Sequence, residues 1–249
     1  MYSPLEQFII KPIIRINNNW IDLTISNSTI YIIIAISIIL IIFNISVNIN
    51  NKLIKGRWGY LLEKFYQEIT SLTKDLIPGE YIRYIPLIII VFFFILSNNI
   101  IGLIPYSFTT TAHFIMTITM SLSIMIGVTI RGIGKHKFNF LKLFIPSGLN
   151  EGAIKFIIPL IFFIEILSYF IRIISLSVRL AANLLSGHTL LKIIANFGLK
   201  YSLYFPVILI IPISLLIAVY LLEIGVSIIQ AYVFTLLVIT YIKDTELLH

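Results

Sequence analysis

Long apolar stretches alternate with short polar segments along this chain. The stretches 23–51 and 84–130 contain no Asp, Glu, Lys or Arg, and the second is interrupted by Pro105 and by the threonines at 109–111. An apolar helix of about 20 residues is long enough to cross a bilayer, and proline with adjacent polar residues marks a turn. The first stretch therefore predicts one membrane span and the second predicts two. These predicted spans lie at about 28–49, 85–104 and 112–131.

Two longer apolar regions follow, at about 154–196 and 204–243. Each is nearly twice as long as an upright crossing requires, so each is either a broken pair of spans or one helix that lies steeply tilted. Polar connectors are missing inside both regions. We therefore predict two long, strongly tilted helices that form a hairpin with its turn at Asn196–Phe205.

The segment 52–76 has a different pattern, with apolar residues at helical spacing from Ile54 to Leu76 and charged or amide residues between them. This periodicity predicts an amphipathic helix on the membrane surface or beneath a partner subunit. A small soluble helical cap is the alternative. The predicted fold class is thus an all-α, polytopic membrane protein with five membrane helices and one amphipathic surface helix, in a single membrane domain, 1–249.

Composition supports the membrane assignment. Of the 249 residues, 59% are hydrophobic and only 12% are charged, whereas soluble domains are about a quarter charged. These values exclude a soluble enzyme, a disordered tail and a nucleic-acid binder. There is no Cys, so thiolate chemistry and disulfides are excluded.

The net charge of +7 carries information about topology. Basic residues cluster between the first and second predicted spans and between the third and fourth, whereas the connector PYSFTTTA is uncharged. Loops on the inner, cytoplasmic side of a membrane carry the excess of Lys and Arg. With five crossings, this pattern predicts an N-terminus outside and a C-terminus inside.

The informative charged residues within the long apolar helices are Glu165, Arg172, Arg179 and Glu223. A charged side chain at mid-membrane costs about 2.5–3.5 kcal/mol on an insertion scale, so these four must face water, one another or a partner. The residues Glu165, Arg172 and Arg179 are seven apart and share one helix face. A second polar stripe on the last helix contains Glu223, Gln230 and Asp244, and Asn183 lies one turn beyond Arg179.

Depth along the two helices separates the titratable residues into two groups on either side of Arg179. The outer group contains His188 and Glu223, and the inner group contains Glu165, Asp244 and the C-terminal His249. Histidine and carboxylates exchange protons when their surroundings tune them, whereas arginine stays charged. The pattern therefore favours proton transfer through two separated groups, with Arg179 blocking direct leakage.

Structural roles are the alternatives for several of these residues. Glu165 and Arg172 could form a pair that stabilises the hairpin, and His188 could be an ordinary buried histidine. Asn98 and Asn99 either cap and bridge helices or line an outer water path. We interpret Glu246 as a solvent-exposed residue at the end of the last helix.

The sequence contains no phosphate loop, dinucleotide turn, nucleophile elbow or metal-ligand spacing. We therefore expect no catalytic centre, no metal and no cofactor.

Several strings in the chain resemble subunit a of mitochondrial F-type ATP synthases. The most specific is EILSYFIRIISLSVRLAANLLSGH, residues 165–188, which contains Arg-Leu-x-x-Asn-x-x-x-Gly-His. The other strings are SPLEQF (3–8), NNIIGLIPYSF (98–108), LLEIGVSIIQAYVF (221–234) and YIKDTELLH (241–249).

The resemblance implies a proton-translocating stator subunit of a proton-transporting ATP synthase, in the mitochondrial inner membrane. It implies that Arg179 faces the rotating c-ring and that Arg172, Asn183 and Gln230 are supporting polar residues. His188 and Glu223, with Asn98 and Asn99, would belong to the half-channel on the intermembrane-space side. Glu165, Asp244 and His249 would belong to the matrix half-channel.

The partners implied are the c-ring, the peripheral stalk and other membrane-sector subunits, with the bilayer and protons but no nucleic acid. The N-terminus would lie in the intermembrane space and the C-terminus in the matrix. A subunit of another proton pump, a secondary transporter and a membrane scaffold without transport are the competing functions. Inverted repeats or matching broken helices would favour a transporter, and we find neither in the sequence.

Overall fold

Six α-helices account for most of the residues that the computed structural model describes. The described residues are 4–15, 17–18, 21–22, 24–50, 57–77, 79, 81–104, 107–137, 158–202 and 210–246. The helices are α1 (Asn27–Asn50), α2 (Arg57–Leu76), α3 (Tyr81–Leu103), α4 (Phe114–His136), α5 (Ile158–Ser202) and α6 (Ile210–Glu246). Parts of the predicted elements lie outside the described residues, namely 52–56, 154–157 and 203–209, together with Pro105 and His249.

Within the described residues, five helices are long and apolar enough to cross a membrane: α1, α3, α4, α5 and α6. The remaining helix, α2, is amphipathic. Ile69 and Thr73 on one face are buried, whereas Lys64 and Glu68 on the other are exposed. The predicted all-α, polytopic fold class is therefore confirmed. The apolar length and spacing of the segments are sufficient to predict this fold class. A segment that crosses lipid must satisfy its backbone hydrogen bonds internally, and a single apolar segment does so by forming a helix.

Short strands precede α1, a feature that the sequence pattern did not predict. Strand β1 (Pro12–Ile14) pairs antiparallel with β4 (Ile25–Ser26), and β2 (Asn17–Asn18) pairs with β3 (Ile21–Asp22). A 3-10 helix, Pro4–Phe8, comes before them. Pairs this short show no alternation in sequence long enough to be recognised.

Helix α3 lies at the centre of the fold, where it packs against α1, α2 and α6. Its buried residues Ile88 and Ile95 join a core that includes Leu176 of α5 together with Phe234 and Ile242 of α6. Helix α4 packs against both α5 and α6. As a result, one side of the α5–α6 hairpin is covered by protein, and the other side exposes apolar residues.

Helices α5 and α6 have 45 and 37 residues, which corresponds to about 68 Å and 56 Å at 1.5 Å per residue. They run antiparallel, because Gly198 of α5 lies against Pro212 of α6 while Arg172 lies against Asp244. The hydrocarbon core of a bilayer is about 30 Å thick. Helices of this length fit within a membrane only if they tilt steeply or extend beyond it.

The last residue of α6, Glu246, is buried and tied to two other helices, so our interpretation of it as a solvated end is wrong. Its side chain is only 6% exposed and accepts hydrogen bonds from the Tyr84 hydroxyl of α3 and the Lys135 ammonium of α4. The Arg131 Nε lies 3.9 Å from a Glu246 carboxylate oxygen, and its guanidinium lies over the Tyr84 ring. This Glu246 cluster holds the C-terminal end of α6 against α3 and α4.

We expect Glu246→Gln to destabilise the fold by about 1–3 kcal/mol, because hydrogen bonds to a charged group are lost and two cations keep no acid between them. Glu68→Gln on the exposed face of α2 is the matched control, with an expected change within about 0.5 kcal/mol. Thermal unfolding of the purified chain in detergent, followed by circular dichroism, measures both. Equal unfolding midpoints for the two variants would show that the Glu246 cluster does not stabilise the packing.

Candidate functional site

Three polar contacts join α5 to α6 among the described residues. They are Arg172 Nη1 to Asp244 Oδ2 at 3.1 Å, Asn183 Nδ2 to Gln230 Oε1 at 3.1 Å, and His188 Nε2 to Glu223 Oε1 at 3.5 Å. Residue numbers rise along α5 as they fall along α6, which is the order that an antiparallel hairpin requires. The two polar stripes predicted from spacing therefore meet at Arg172 and Asp244, and two further contacts join the helices toward the turn of the hairpin.

The His–Glu pair, His188 with Glu223, lies toward the turn of the hairpin. The side chains are 14% and 4% exposed, respectively, and the two carboxylate oxygens of Glu223 have no hydrogen-bond partner among the described residues. A buried carboxyl group without hydrogen bonds is costly in its ionised form. The pair is therefore suited to hold and exchange a proton rather than to carry a fixed charge.

Gly187 makes room for this pair and was not singled out from the sequence. A Cβ atom at Gly187 would lie 2.6 Å from Glu223 Oε1, which is closer than atoms can approach. Glycine inside a helix costs about 0.5–1 kcal/mol relative to alanine, so a glycine next to the histidine was a signal that could have been read. Its lack of a side chain lets the Glu223 carboxyl group pack directly against α5.

Asn98 and Asn99 are fully buried and are bonded within the protein. The hydroxyls of Thr110 and Thr111 donate to their side-chain oxygens at 2.8 Å and 3.1 Å, and Asn99 Nδ2 donates to the Ser227 carbonyl at 3.3 Å. These bonds connect α3 and the segment before α4 to α6, one helical turn from the His–Glu pair. Asn99 thus ties α6 to α3, and Asn98 ties the segment before α4 to α3.

The segment before α4 also contains His113, whose ring stacks on Phe108 with centroids 5.1 Å apart. Desolvation by burial lowers the pKa of His113 below its ordinary value. The ring serves as an aromatic packing group beside the asparagine network.

The Arg–Asp pair, Arg172 with Asp244, lies toward the other end of the hairpin. Its side chains are 36% and 48% exposed, and the Arg172 guanidinium also lies over the Tyr241 ring, 5.2 Å from its centroid. The alternative pair of Arg172 with Glu165 does not form. Glu165 lies seven residues earlier on the same helix, about 10 Å along the axis, and has no ion-pair partner among the described residues.

Arg179 stands between the two pairs with no acid of its own. It is exposed and forms no ion pair or hydrogen bond with another described residue. It lies about 10 Å along α5 from Arg172 and about 13 Å from His188. Its neighbours Val178 and Leu185 are each 39% exposed, so the guanidinium emerges on an apolar surface.

The absence of an acid near Arg179 follows from the register of the hairpin. The contacts on either side of it place the stretch of α6 around Thr235 opposite Arg179. Thr235 is buried, and its hydroxyl donates to the Tyr232 carbonyl of its own helix at 2.7 Å. The Asn183–Gln230 contact lies one turn away and supplies amides, which cannot neutralise a guanidinium.

These features define a polytopic membrane protein whose longest hairpin places one unpaired arginine between two ionisable pairs. The chain belongs to the ATP synthase A chain family, whose model matches residues 29–243. Membership of this family supports a proton-channel role in the membrane sector of a proton-translocating ATP synthase. The resemblance read from the sequence is confirmed.

The most similar relatives extend over the full length of the chain. ATP synthase subunit a of Zancudomyces culisetae is 40% identical over 100% of both chains. The protein of the same name from Trichophyton rubrum is 42% identical over 99% of this chain and 97% of its own length. The corresponding protein of the bacterium Paramagnetospirillum magneticum is 34% identical over 100% of both chains.

We expect Gly187→Ala to destabilise the protein by about 1–3 kcal/mol, because the added methyl group displaces the Glu223 carboxyl group. The control is Gly225→Ala in α6, where a Cβ atom meets nothing within 4 Å. Alanine there should stabilise the helix by about 0.5–1 kcal/mol. Thermal unfolding of the purified complex tests both, and a stabilising effect of Gly187→Ala would contradict the close approach of Glu223.

Proposed function

We propose that this chain is the proton-conducting stator subunit of the ATP synthase membrane sector, with two offset half-channels that load and unload protons on a rotating c-ring. The observation that carries this proposal is the unpaired, exposed Arg179 between two ionisable pairs. A guanidinium on an apolar membrane surface needs a partner from outside the chain. A membrane-embedded carboxylate on each c subunit has the complementary charge.

The His–Glu pair forms the outer half-channel in this proposal. A proton from the intermembrane space reaches Glu223 and His188 and passes to a ring carboxylate, which becomes neutral and can enter lipid. The buried position of Glu223 supports this role, because desolvation and a nearby histidine tune a carboxyl group for proton exchange. Asn98 and Asn99 hold the wall of this half-channel, Asn99 through its bond to Ser227 of α6 and Asn98 through its bond to Thr110 before α4.

The inner half-channel contains Asp244 and Glu165, with His249 at the C-terminus. Asp244 is exposed on the hairpin and is held by Arg172, so a proton released there meets an anionic group at a water-accessible position. The two pairs are about 24 Å apart along α5. This separation supports two distinct paths rather than one continuous pore.

Arg179 couples the two paths. A returning ring carboxylate meets the guanidinium, ionises and releases its proton toward the inner half-channel. Because arginine does not give up its proton, Arg179 also blocks direct leakage from one half-channel to the other. Each charge that crosses 100 mV yields about 2.3 kcal/mol, and a leak would dissipate this energy without rotation. Asn183 and Gln230 support the site beside the arginine.

The exposed apolar face of α5 around Arg179 is the proposed contact with the c-ring. Ile164, Ile171 and Val178 on this face are 52%, 54% and 39% exposed. The peripheral stalk and other membrane-sector subunits are the proposed remaining partners. The full-length fungal relatives support a place in the mitochondrial inner membrane, and the distribution of basic residues supports an N-terminus in the intermembrane space and a C-terminus in the matrix.

The test compares two conservative changes on one helix face. Arg179→Lys should lower ATP-driven proton pumping and ATP synthesis by more than about tenfold, the factor for losing a charge-assisted contact of about 1.5–3 kcal/mol, because an ammonium loses the planar, permanently charged geometry. Arg172→Lys keeps an ion pair with Asp244 and should retain most activity. Both variants should assemble normally on native gels.

Arg179→Ala gives the stronger version of this test, and it should abolish coupled ATP synthesis in a complex that still assembles. Reconstituted vesicles with an imposed proton gradient provide the measurement. Coupled synthesis at wild-type rates in either Arg179 variant would refute the proposed function.

A further inference from the structure

A cavity of about 720 Å³ adjoins the His–Glu pair on the side away from Arg179. Its walls come from the N-terminal segment, α1, α3, α5 and α6, and His188 lies on its surface. The residues of the N-terminal segment that line it are Glu6, Gln7, Ile9 and Lys11. We call the segment Glu6–Lys11 the N-terminal strap.

The strap is fixed at both ends. Asn27 at the start of α1 accepts from the Lys11 backbone N–H at 3.2 Å and donates to the Ile9 carbonyl at 3.2 Å, and its own backbone N–H donates to the Lys11 carbonyl at 3.1 Å. Near the other end, the Phe8 ring meets the His188 ring edge to face, with centroids 6.5 Å apart. The strap therefore runs from α1 to the histidine of the His–Glu pair.

The cavity is suited to hold water. A water molecule occupies about 30 Å³ in the liquid, so the volume accommodates a chain of them. Two buried side-chain nitrogen atoms, Gln7 Nε2 and His188 Nε2, lack hydrogen-bond partners among the described residues. Both residues line the cavity. Buried polar groups are normally satisfied by protein or by water. The charged residues Glu6, Lys11 and Lys192 also line it.

We propose that the N-terminal strap forms one wall of the water-filled entrance that supplies protons to the His–Glu pair, and that Phe8 is a positioning residue that holds the His188 imidazole toward Glu223. This inference rests on the proposed function, since it identifies the entrance to the same half-channel. The edge-to-face contact limits rotation of the imidazole, because leaving it exposes the Phe8 ring and loses the aromatic contact.

The first experiment uses single cysteines, which the absence of Cys from the chain makes possible. The assembled membrane sector carries either Ile9→Cys or Leu191→Cys, both on the cavity wall. The matched controls are Ile13→Cys on β1 and Ile193→Cys on α5, which are 57% and 44% exposed and do not line the cavity. Proton conductance of reconstituted vesicles is measured before and after a bulky, water-soluble thiol reagent is added outside, and the complex without introduced cysteines gives the background.

Labelling should lower conductance by more than about half at Ile9→Cys and Leu191→Cys and leave the two controls at background. Full modification of the cavity-wall cysteines, verified by mass, with unchanged conductance would overturn the entrance. If the Arg179 variants nevertheless abolish coupling, the proposed function stands and only this inference fails. If the Arg179 variants are also active, both fail.

The second experiment tests Phe8 by graded substitution. Phe8→Ala should lower conductance by about two- to tenfold, the factor for one aromatic contact, in complexes that assemble normally. Phe8→Tyr keeps the ring and should restore conductance, whereas Phe8→Leu keeps the apolar bulk and should not. Wild-type conductance in Phe8→Ala, or equal rescue by leucine and tyrosine, would show that Phe8 does not position His188. Ile10→Ala, an exposed neighbour that does not line the cavity, is the control.

Discussion

Lipid offers no hydrogen bonds and no counter-charge, so each polar group inside the membrane must find its partner in protein or water. Along the α5–α6 hairpin, charged side chains of one helix face charged or ionisable side chains of the other, from Arg172–Asp244 at one end to His188–Glu223 at the other. Arg179 is the charged residue that the register leaves without an acid, because the facing part of α6 near Thr235 is buried and bonded to itself. The two half-channels and the contact with the c-ring that we propose all depend on this one unmet charge.

Contacts with other helices fix the axial position of α6 and thereby maintain its register with α5. At its C-terminal end, Glu246 is bound by Tyr84 and Lys135. Near its middle, the Ser227 carbonyl accepts from Asn99, which is itself held by a threonine. A slip of α6 by one helical turn would move it about 5.4 Å and would break these bonds together with the contacts to α5. Helices α3 and α4 thus position the site without contributing a titratable group to either ionisable pair.

The surroundings of the two pairs differ in a way that matches opposite directions of proton movement. The Glu223 carboxyl group is buried against Gly187, next to the histidine that lines the cavity, so an ionised carboxylate without hydrogen bonds is costly there. Asp244 is half-exposed and forms an ion pair with Arg172, so a proton released near it has direct access to water. A ring carboxylate that visits both pairs would gain a proton at the first and lose one near the second, with Arg179 between them.

Hydrophobic periodicity alone determined the five membrane helices, the amphipathic α2 and the long final hairpin, because apolar length and spacing depend only on local sequence. Spacing also grouped the polar residues onto helix faces and left Arg179 without an acid within one helical turn on its own helix. Only the tertiary structure decided that Arg172 pairs with Asp244 rather than Glu165, that Glu246 is buried, that Asn98 and Asn99 bridge to other elements, and that Phe8 reaches His188. Each of these contacts depends on the axial offset between separate segments, and periodicity within a helix specifies which face is polar but not the height at which that face meets its neighbour.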